Sequence, residues 1–204
     1  MASRVNPTRM ELLRSKKRST LAKKGHKLLK DKRDGLMQEF MKIVREARQL
    51  RDQVDAKLAE AMQHFVLAQS TMLPEAVALV RRLKPYGIEL SVAEKNVMGV
   101  RIPEFDITLT ETDEKYSNWE TSVELDAAMK LFRDLLPLLL KLASIEKAAE
   151  LLAQEIERTR RRVNALEYVL IPQLKDTIKY IRMKLDEQER SAIITSMALK
   201  EKLD

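Results

Sequence analysis

Apolar residues recur at alternating intervals of three and four along the first third of the chain. The series is Leu36, Phe40, Ile43, Ala47, Leu50, Val54, Leu58, Ala61, Phe65, Ala68 and Met72. This spacing aligns the side chains on one side of an α-helix, as in the seam of a coiled coil. One extra step of four, from Val54 to Leu58, is a stutter that locally unwinds a left-handed supercoil. With Thr8 and Glu11 as a capping box, the pattern predicts one helix over residues 8–72, roughly 95 Å long at the α-helical rise.

A second apolar stripe with the same spacing lies near the end of the chain. Its members are Leu142, Ile145, Ala149, Leu152, Ile156, Thr159, Val163, Leu166, Leu170, Leu174, Ile178, Ile181 and Leu185. Pro172 lies inside the stripe, where it removes a backbone donor and presses on the carbonyl of Tyr168, so we expect a bend. Pro137 marks either a second kink or the start of the helix proper. The stripe predicts a C-terminal helix over 121–200, kinked near both prolines.

Two such helices must bury their stripes, and an antiparallel two-helix coiled coil is the simplest arrangement that does so. The expected fold is therefore all-α. We expect residues 1–204 to form a single elongated unit, with a β-hairpin and a short helical or loop region inserted in the middle, over 73–120.

The hairpin is predicted from alternation over residues 88–103. Its apolar residues all lie at even positions: Ile88, Leu90, Val92, Met98, Val100 and Ile102. They would share one buried face. Pairing 92 with 98, 90 with 100 and 88 with 102 leaves a polar turn at 93–97. Residues 103–120 are polar and are expected to form a loop.

Positive charge is concentrated at the start of the chain. Residues 1–35 contain twelve Lys or Arg and three Asp or Glu, whereas the whole chain has a net charge of +7. Such a segment could bind a phosphate backbone, an anionic membrane or an acidic protein surface. The chain has no cysteine, which excludes disulfides and fits a reducing compartment. The start lacks the apolar core of a secretory signal. The longest uncharged stretch (65–74) is too short to span a bilayer, so we expect a soluble or peripheral protein.

The sequence contains no pattern typical of catalysis or of a metal site. The tripeptide at 25–27, GHK, lacks the glycine-rich lead and the Ser or Thr of a phosphate-binding loop. His26 and His64 are far apart in sequence and have no evident co-ligands. We therefore expect no catalytic residue, cofactor or metal. The run Arg160, Arg161, Arg162 is a solvated charge cluster, a partner-binding cluster or a nucleic-acid-binding cluster.

Four segments resemble one protein family. They are NPTRMELLRSKKR (6–18), GHKLLKDKRDGLM (25–37), SVAEKNVMGVRIP (91–103) and TRRRVNALEYVLIPQLKDTIKYI (159–181). In this order they resemble the D subunits of the V-type (A-type) rotary ATP synthases/ATPases. One departure is Gly35, where the family more often has an acidic residue that favours a helix.

The resemblance implies a non-catalytic rotor axle in the central stalk of the complex. Its partners would be the catalytic hexamer of subunits A and B, the small stalk subunit called F and the subunit that links the stalk to the membrane ring. It would couple ATP synthesis or hydrolysis to translocation of protons or sodium ions. It would be cytoplasmic and peripheral to the membrane, without insertion into the membrane and without a nucleic-acid partner.

We expect two sets of basic residues to contact partners in such a complex. One set would face the A/B hexamer: Arg9, Arg14, Lys16, Lys17 and Arg18. Arg160, Arg161 and Arg162 would face the lower stalk subunits. Without the resemblance, two other functions stay open. They are a static coiled-coil scaffold and a basic helical protein that binds nucleic acid.

Overall fold

Four α-helices and one β-hairpin make up the described chain. In a computed structural model that describes residues 6–80, 82, 86–111 and 121–200, the elements follow one another in this order: α1 (Arg9–Thr71), α2 (Pro74–Val80), β1 (Tyr86–Val97), β2 (Val100–Glu111), α3 (Val123–Asn164), a π-helical segment (Ala165–Leu170) and α4 (Ile171–Lys200). Long helices with a small hairpin between them confirm the predicted fold class. The contacts divide the chain into two units: unit 1 (1–35 with 156–204) and unit 2 (36–155).

Helix α1 begins one residue after the predicted N-cap. The backbone N–H of Glu11 donates to Oγ1 of Thr8 over 3.2 Å. This bond satisfies one of the free donors of the first turn. The stripe predicted for α1, from Leu36 to Met72, is buried or half-buried throughout. Heptad spacing was therefore a sound guide to the buried side of this helix.

In unit 1 the first part of α1 runs antiparallel to α4. Arg9 pairs with Glu189 at 2.8 Å, and His26 Nε2 lies 3.3 Å from Glu167 Oε2. Residues 9–26 therefore face residues 189–167. The buried residues of this unit are Ser15, Ser19, Ile156, Thr159, Val163 and Ile181.

The chain stays helical past Pro172, but it changes its hydrogen bonding just upstream. Ile171 N–H donates to the carbonyl oxygen of Leu166, five residues back, as in a π-helix. Pro172 has no N–H, and its ring would crowd a carbonyl of the preceding turn. A wider turn before the proline relieves this conflict while the helix continues. The bend itself stays a prediction.

In unit 2 the remainder of α1 packs on α3. Arg51 pairs with Glu146 and His64 with Glu124, so this pair is also antiparallel. Its core comprises Val54, Leu135 and Leu142, surrounded by Leu50, Leu58, Phe132 and Leu138. Pro137 lies inside α3, and the helix proper starts well before it, at Val123.

The hairpin is confirmed, but its predicted register is wrong. β1 and β2 pair from Val97 with Val100 out to Tyr86 with Glu111, so β2 includes residues we expected in a loop. The turn is Met98–Gly99, with φ of 51° and 88°. Two consecutive positive φ values suit a two-residue hairpin turn. The N–H of Gly99 also donates to Oδ1 of Asn96 over 2.9 Å.

The new register changes which residues of the hairpin are buried. Residues opposite each other share a face, so Val92 lies beside Phe105 and Leu90 beside Ile107. Of the six even residues, only Val100 and Ile102 are buried. The other four are exposed: Ile88, Leu90, Val92 and Met98. The hydroxyl of Ser144 on α3 donates a hydrogen bond to the carbonyl oxygen of Pro103 on β2 over 2.8 Å, which links the hairpin to α3.

Candidate partner-binding surface

The basic residues predicted to bind partners near the start of α1 are all exposed. They are Arg9, Arg14, Lys16, Lys17 and Arg18. Arg9 pairs with Glu189 at 2.8 Å, and Arg14 lies 3.9 Å from Glu11. Within the described ranges no ion pair is formed by Lys16, Lys17 or Arg18. Exposed pairs of this kind stabilise a fold by only about 0–1 kcal/mol, so these charges are available to a partner.

These charges surround the solvent side of the first turns of α1, from Arg9 to Arg18. At about 100° per residue, Ser15 and Ser19 point toward α4, where they are buried. The basic residues from Arg9 to Arg18 occupy the remaining arc. Large apolar side chains alternate with them and are also exposed: Met10, Leu13, Leu21 and Leu28. A surface that is basic and apolar on every free side fits a partner that surrounds the helix.

The end of α4 adds a second exposed apolar segment to unit 1. Arg9 faces Glu189, and every residue from 190 to 200 is exposed. Large apolar residues in this segment are Ile193, Ile194, Met197 and Leu199. No helix among the described residues covers them. Exposed apolar side chains in this number are typical of a surface that a partner buries.

The arginine run at 160–162 is exposed on α3. Arg161 pairs with Glu157, one turn earlier on the same helix. The structure therefore places these side chains in solvent, away from the buried Thr159 and Val163 of the seam. This geometry suits each of the interpretations made from the sequence.

One exposed surface was missed because the predicted register was wrong. On one face of the hairpin, Ile88, Leu90 and Val92 are exposed, and their partners Leu109, Ile107 and Phe105 are half-buried. The signal was present in the sequence, because residues 105, 107 and 109 alternate with polar ones. Pro103 and the acidic neighbours led us to expect a loop.

The described residues contain no cluster of three or more His, Asp or Glu that could hold a metal ion. His26 lies beside Glu167, and His64 Nδ1 lies 2.7 Å from Glu124 Oε2. Each histidine thus contacts a glutamate of another helical element. None of the helices in the described ranges has an apolar stretch long enough to cross a bilayer.

Antiparallel helix pairs with exposed basic and apolar surfaces define a coiled-coil component of a larger assembly. Comparison with known proteins specifies the family. The family model of ATP synthase D subunits matches residues 11–201. The chain belongs to this family.

Similar proteins in several bacteria are named as D subunits of V-type ATP synthases. The one from Acetivibrio thermocellus is 50% identical over 202 residues, covering 97% of this chain and 91% of that protein. The one from Thermoanaerobacter pseudethanolicus is 49% identical, covering 97% and 95%. The one from Clostridium botulinum is 44% identical, covering 100% and 97%. Family membership associates the chain with ATP synthesis, ion transport and a rotary complex.

Proposed function

We propose that this chain is the non-catalytic rotor shaft in the central stalk of a V-type ATP synthase. It couples ATP synthesis or hydrolysis in a hexamer of A and B subunits to translocation of protons or sodium ions. It lies on the cytoplasmic side, peripheral to the membrane, and carries no cofactor. Its close relatives are named as components of V-type ATP synthases, and this supports the assembly but not yet the motion.

The observation that carries the proposal is the free surface of unit 1. Along the first turns of α1, from Arg9 to Arg18, basic and exposed apolar residues occupy the sides away from the buried Ser15, and the last turns of α4 are exposed all round. A flat partner would need only one face of the helix. A ring that encloses the helix pair would contact all of them.

The character of the contacts suits a part that must turn. A deeply buried, fully paired charge would hold the shaft at one angle. Exposed charges contribute about 0–1 kcal/mol each, so they can exchange partners as the angle changes. Because the two helices present different side chains to different sides, each angle favours a different state of the facing catalytic site.

The remaining exposed surfaces are assigned to the other rotor subunits. Within the group Arg160, Arg161 and Arg162, Arg161 pairs with Glu157 one turn earlier on the same helix. This pair does not connect two elements of the fold. We assign these arginines to contacts with the small stalk subunit called F and with the subunit that links the stalk to the membrane ring. The catalytic sites belong to the A and B subunits under this proposal.

Direct observation of rotation tests the proposal. The chain has no cysteine, so Ser91→Cys on the exposed part of β1 creates a single labelling site. A bead is attached there, and a complex with its own A and B subunits is fixed to a surface. We expect ATP to drive stepwise rotation of the bead in one direction.

The control is the same labelled complex with a non-hydrolysable ATP analogue, which should leave the bead at a fixed mean angle. A complex that hydrolyses ATP at full rate with a stationary bead would contradict the rotor role. In that case a static scaffold becomes the better description. Absence of any complex with A and B subunits would contradict the assembly as well.

A further inference from the structure

A groove in unit 1 lies between α1 and the facing residues of the π-helical segment and α4. It has a volume of 430 Å³ and is lined by Arg18, Leu21, Ala22, Gly25, Leu166, Leu170 and Leu174. A Cβ built on Gly25 would meet no atom within 4 Å. Residue 25 therefore borders open space, and a larger side chain there would have room to extend toward the groove. We call it the Gly25 notch.

The opposite wall of the notch depends on the π-helical segment. Heptad spacing places Leu170 on the seam with Leu166 and Leu174, yet its exposed fraction is 41%. The π-helical hydrogen bonding across Ala165–Leu170 changes the helical phase at this point. Leu170 consequently lines the notch instead of filling the space against α1.

Both features weaken the helix pair locally. Glycine in a helix interior is less favourable than alanine, and the open space around Gly25 shows that alanine would fit. A π-turn is rare and often marks a functional site. The glycine and the π-helical turn are both unfavourable for a regular helix, and both lie beside the same apolar groove. Proteins keep such unfavourable local features mainly at functional sites.

The part of α1 beside the notch is strongly basic, and Arg18 lines the notch itself. Between Ser15 and Lys27, α1 contains six Lys or Arg and no Asp or Glu. The facing residues 164–176 contain one lysine and two acids, and one of these acids, Glu167, already contacts His26. A partner side chain that reaches the apolar walls lies close to this positive charge. An acidic partner segment is therefore favoured electrostatically.

We propose that the Gly25 notch is a socket for one leucine-sized apolar side chain on an acidic segment of the A/B ring. This inference rests on the proposed rotor function. The notch lies on one side of the helix pair, so only one ring segment can occupy it at a given angle. Because A and B subunits repeat around the ring, the notch favours a set of equivalent orientations of the shaft, against a background of weak charge contacts.

The test compares variants that fill the notch with a matched variant that does not. Gly25→Leu places a side chain in the notch. Thr20→Leu adds the same side chain at an exposed position of α1 that does not line it. The full chain, labelled at Ser91→Cys, is titrated with purified ring of A and B subunits, and thermal unfolding of each free chain is measured in parallel.

We expect Gly25→Leu to weaken binding to the ring about tenfold, since one buried apolar contact is lost. Its unfolding temperature should not fall, because leucine favours the helix more than glycine. Thr20→Leu should bind within about twofold of the unmodified chain. Leu21→Gln replaces an exposed apolar side chain that lines the notch, so it should also weaken binding. It provides the test if Gly25→Leu does not fold.

Folded Gly25→Leu or Leu21→Gln with unchanged affinity would overturn the socket and leave the rotor proposal standing. Equal weakening by Thr20→Leu would also overturn it, since the effect would not depend on the notch. If the unmodified chain does not bind the ring, the rotor proposal fails and the socket fails with it.

Discussion

At the scale of single residues, the seam of unit 1 differs from an ordinary apolar core. Ser15, Ser19 and Thr159 are buried there, and Thr159 is only 1% exposed. Its Oγ1 has no hydrogen-bond partner in the structure as described. A buried hydroxyl without a partner loses its water without compensation. This position therefore lowers the stability of the fold.

Replacing Thr159 by the isosteric valine should increase the free energy of unfolding by about 1 kcal/mol, since the unpaired hydroxyl becomes a methyl group. The matched control is Thr177→Val. There the hydroxyl donates to the carbonyl oxygen of Gln173 over 2.8 Å, so no gain is expected. Urea unfolding of the isolated chain measures both. A loss of stability in Thr159→Val would show that the hydroxyl has a favourable interaction.

Leu170 shows where prediction of single residues from spacing fails. Thr159, Val163 and Ile181 were placed on the seam by the pattern, and all are buried. Leu170 fitted the same pattern and is exposed. Spacing assumes a regular α-helix, whereas the chain forms π-helical hydrogen bonds across Ala165–Leu170. Three successive four-residue steps around Pro172 were the only sign of this change in the sequence.

At the scale of elements, the helices were predictable and the hairpin only partly so. A long heptad pattern rests on many residues, so one wrongly placed residue does not change the predicted position of the helix. The register of a hairpin depends on the position of its single turn. The sequence offered a polar stretch at 93–97, but the chain turns at Met98–Gly99. Because Met rarely adopts positive φ, Gly99 alone pointed to the correct turn, and the register followed it.

The observed register predicts that two isoleucines of the hairpin respond differently to the same change. Ile102 is 7% exposed and Ile88 is 58% exposed. Ile102→Asp would bury a charge, so we expect it to destabilise the hairpin by about 2 kcal/mol or more. Ile88→Asp should change the isolated chain little. Amide hydrogen exchange over residues 86–111 measures the difference, and equal exchange in the two variants would contradict the register.

The two units should also differ in local stability. Among the described residues, the buried polar side chains (Ser15, Ser19 and Thr159) lie in unit 1, whereas the buried side chains of unit 2 are hydrophobic, among them Leu36, Leu135 and Leu152. Fewer buried apolar contacts lower the free energy of local opening. We expect amides of residues 171–185 in α4 to exchange at least about tenfold faster than those of residues 128–142 in α3. Equal protection in hydrogen-exchange mass spectrometry would contradict this.

At the scale of the whole molecule, the positive charge at the start of the chain was evident from the sequence, but contacts within the fold account for little of it. The basic segment at the start of the chain has few acidic partners in the fold, and Arg9 with Glu189 is an exposed pair. Exposed pairs of this kind contribute only about 0–1 kcal/mol each, so contacts within the fold account for little of this charge. The sequence could not specify a ring as partner, because a helical charge pattern alone also suits nucleic acid or an acidic scaffold.

The ring proposal predicts graded effects of neutralising this segment. Single changes among Arg9, Arg14, Lys16, Lys17 and Arg18 to alanine should reduce affinity for the A/B ring by no more than about fivefold, since each exposed contact contributes about 0–1 kcal/mol. All five changes together should weaken binding more than about tenfold and reduce ion pumping in the reconstituted complex. Pumping and ATP hydrolysis are measured on the same preparation.

The matched control removes the same charge from unit 2, at the exposed residues Arg45, Arg48, Lys57, Lys130 and Lys147. Affinity for the ring should then stay within about threefold, apart from a general charge effect that salt suppresses. Raising the salt concentration should weaken the unmodified chain more than the five-residue variant of unit 1, because that variant has fewer charges to screen. If both sets of changes act equally, only net charge matters, and the surface around α1 is not where the ring binds.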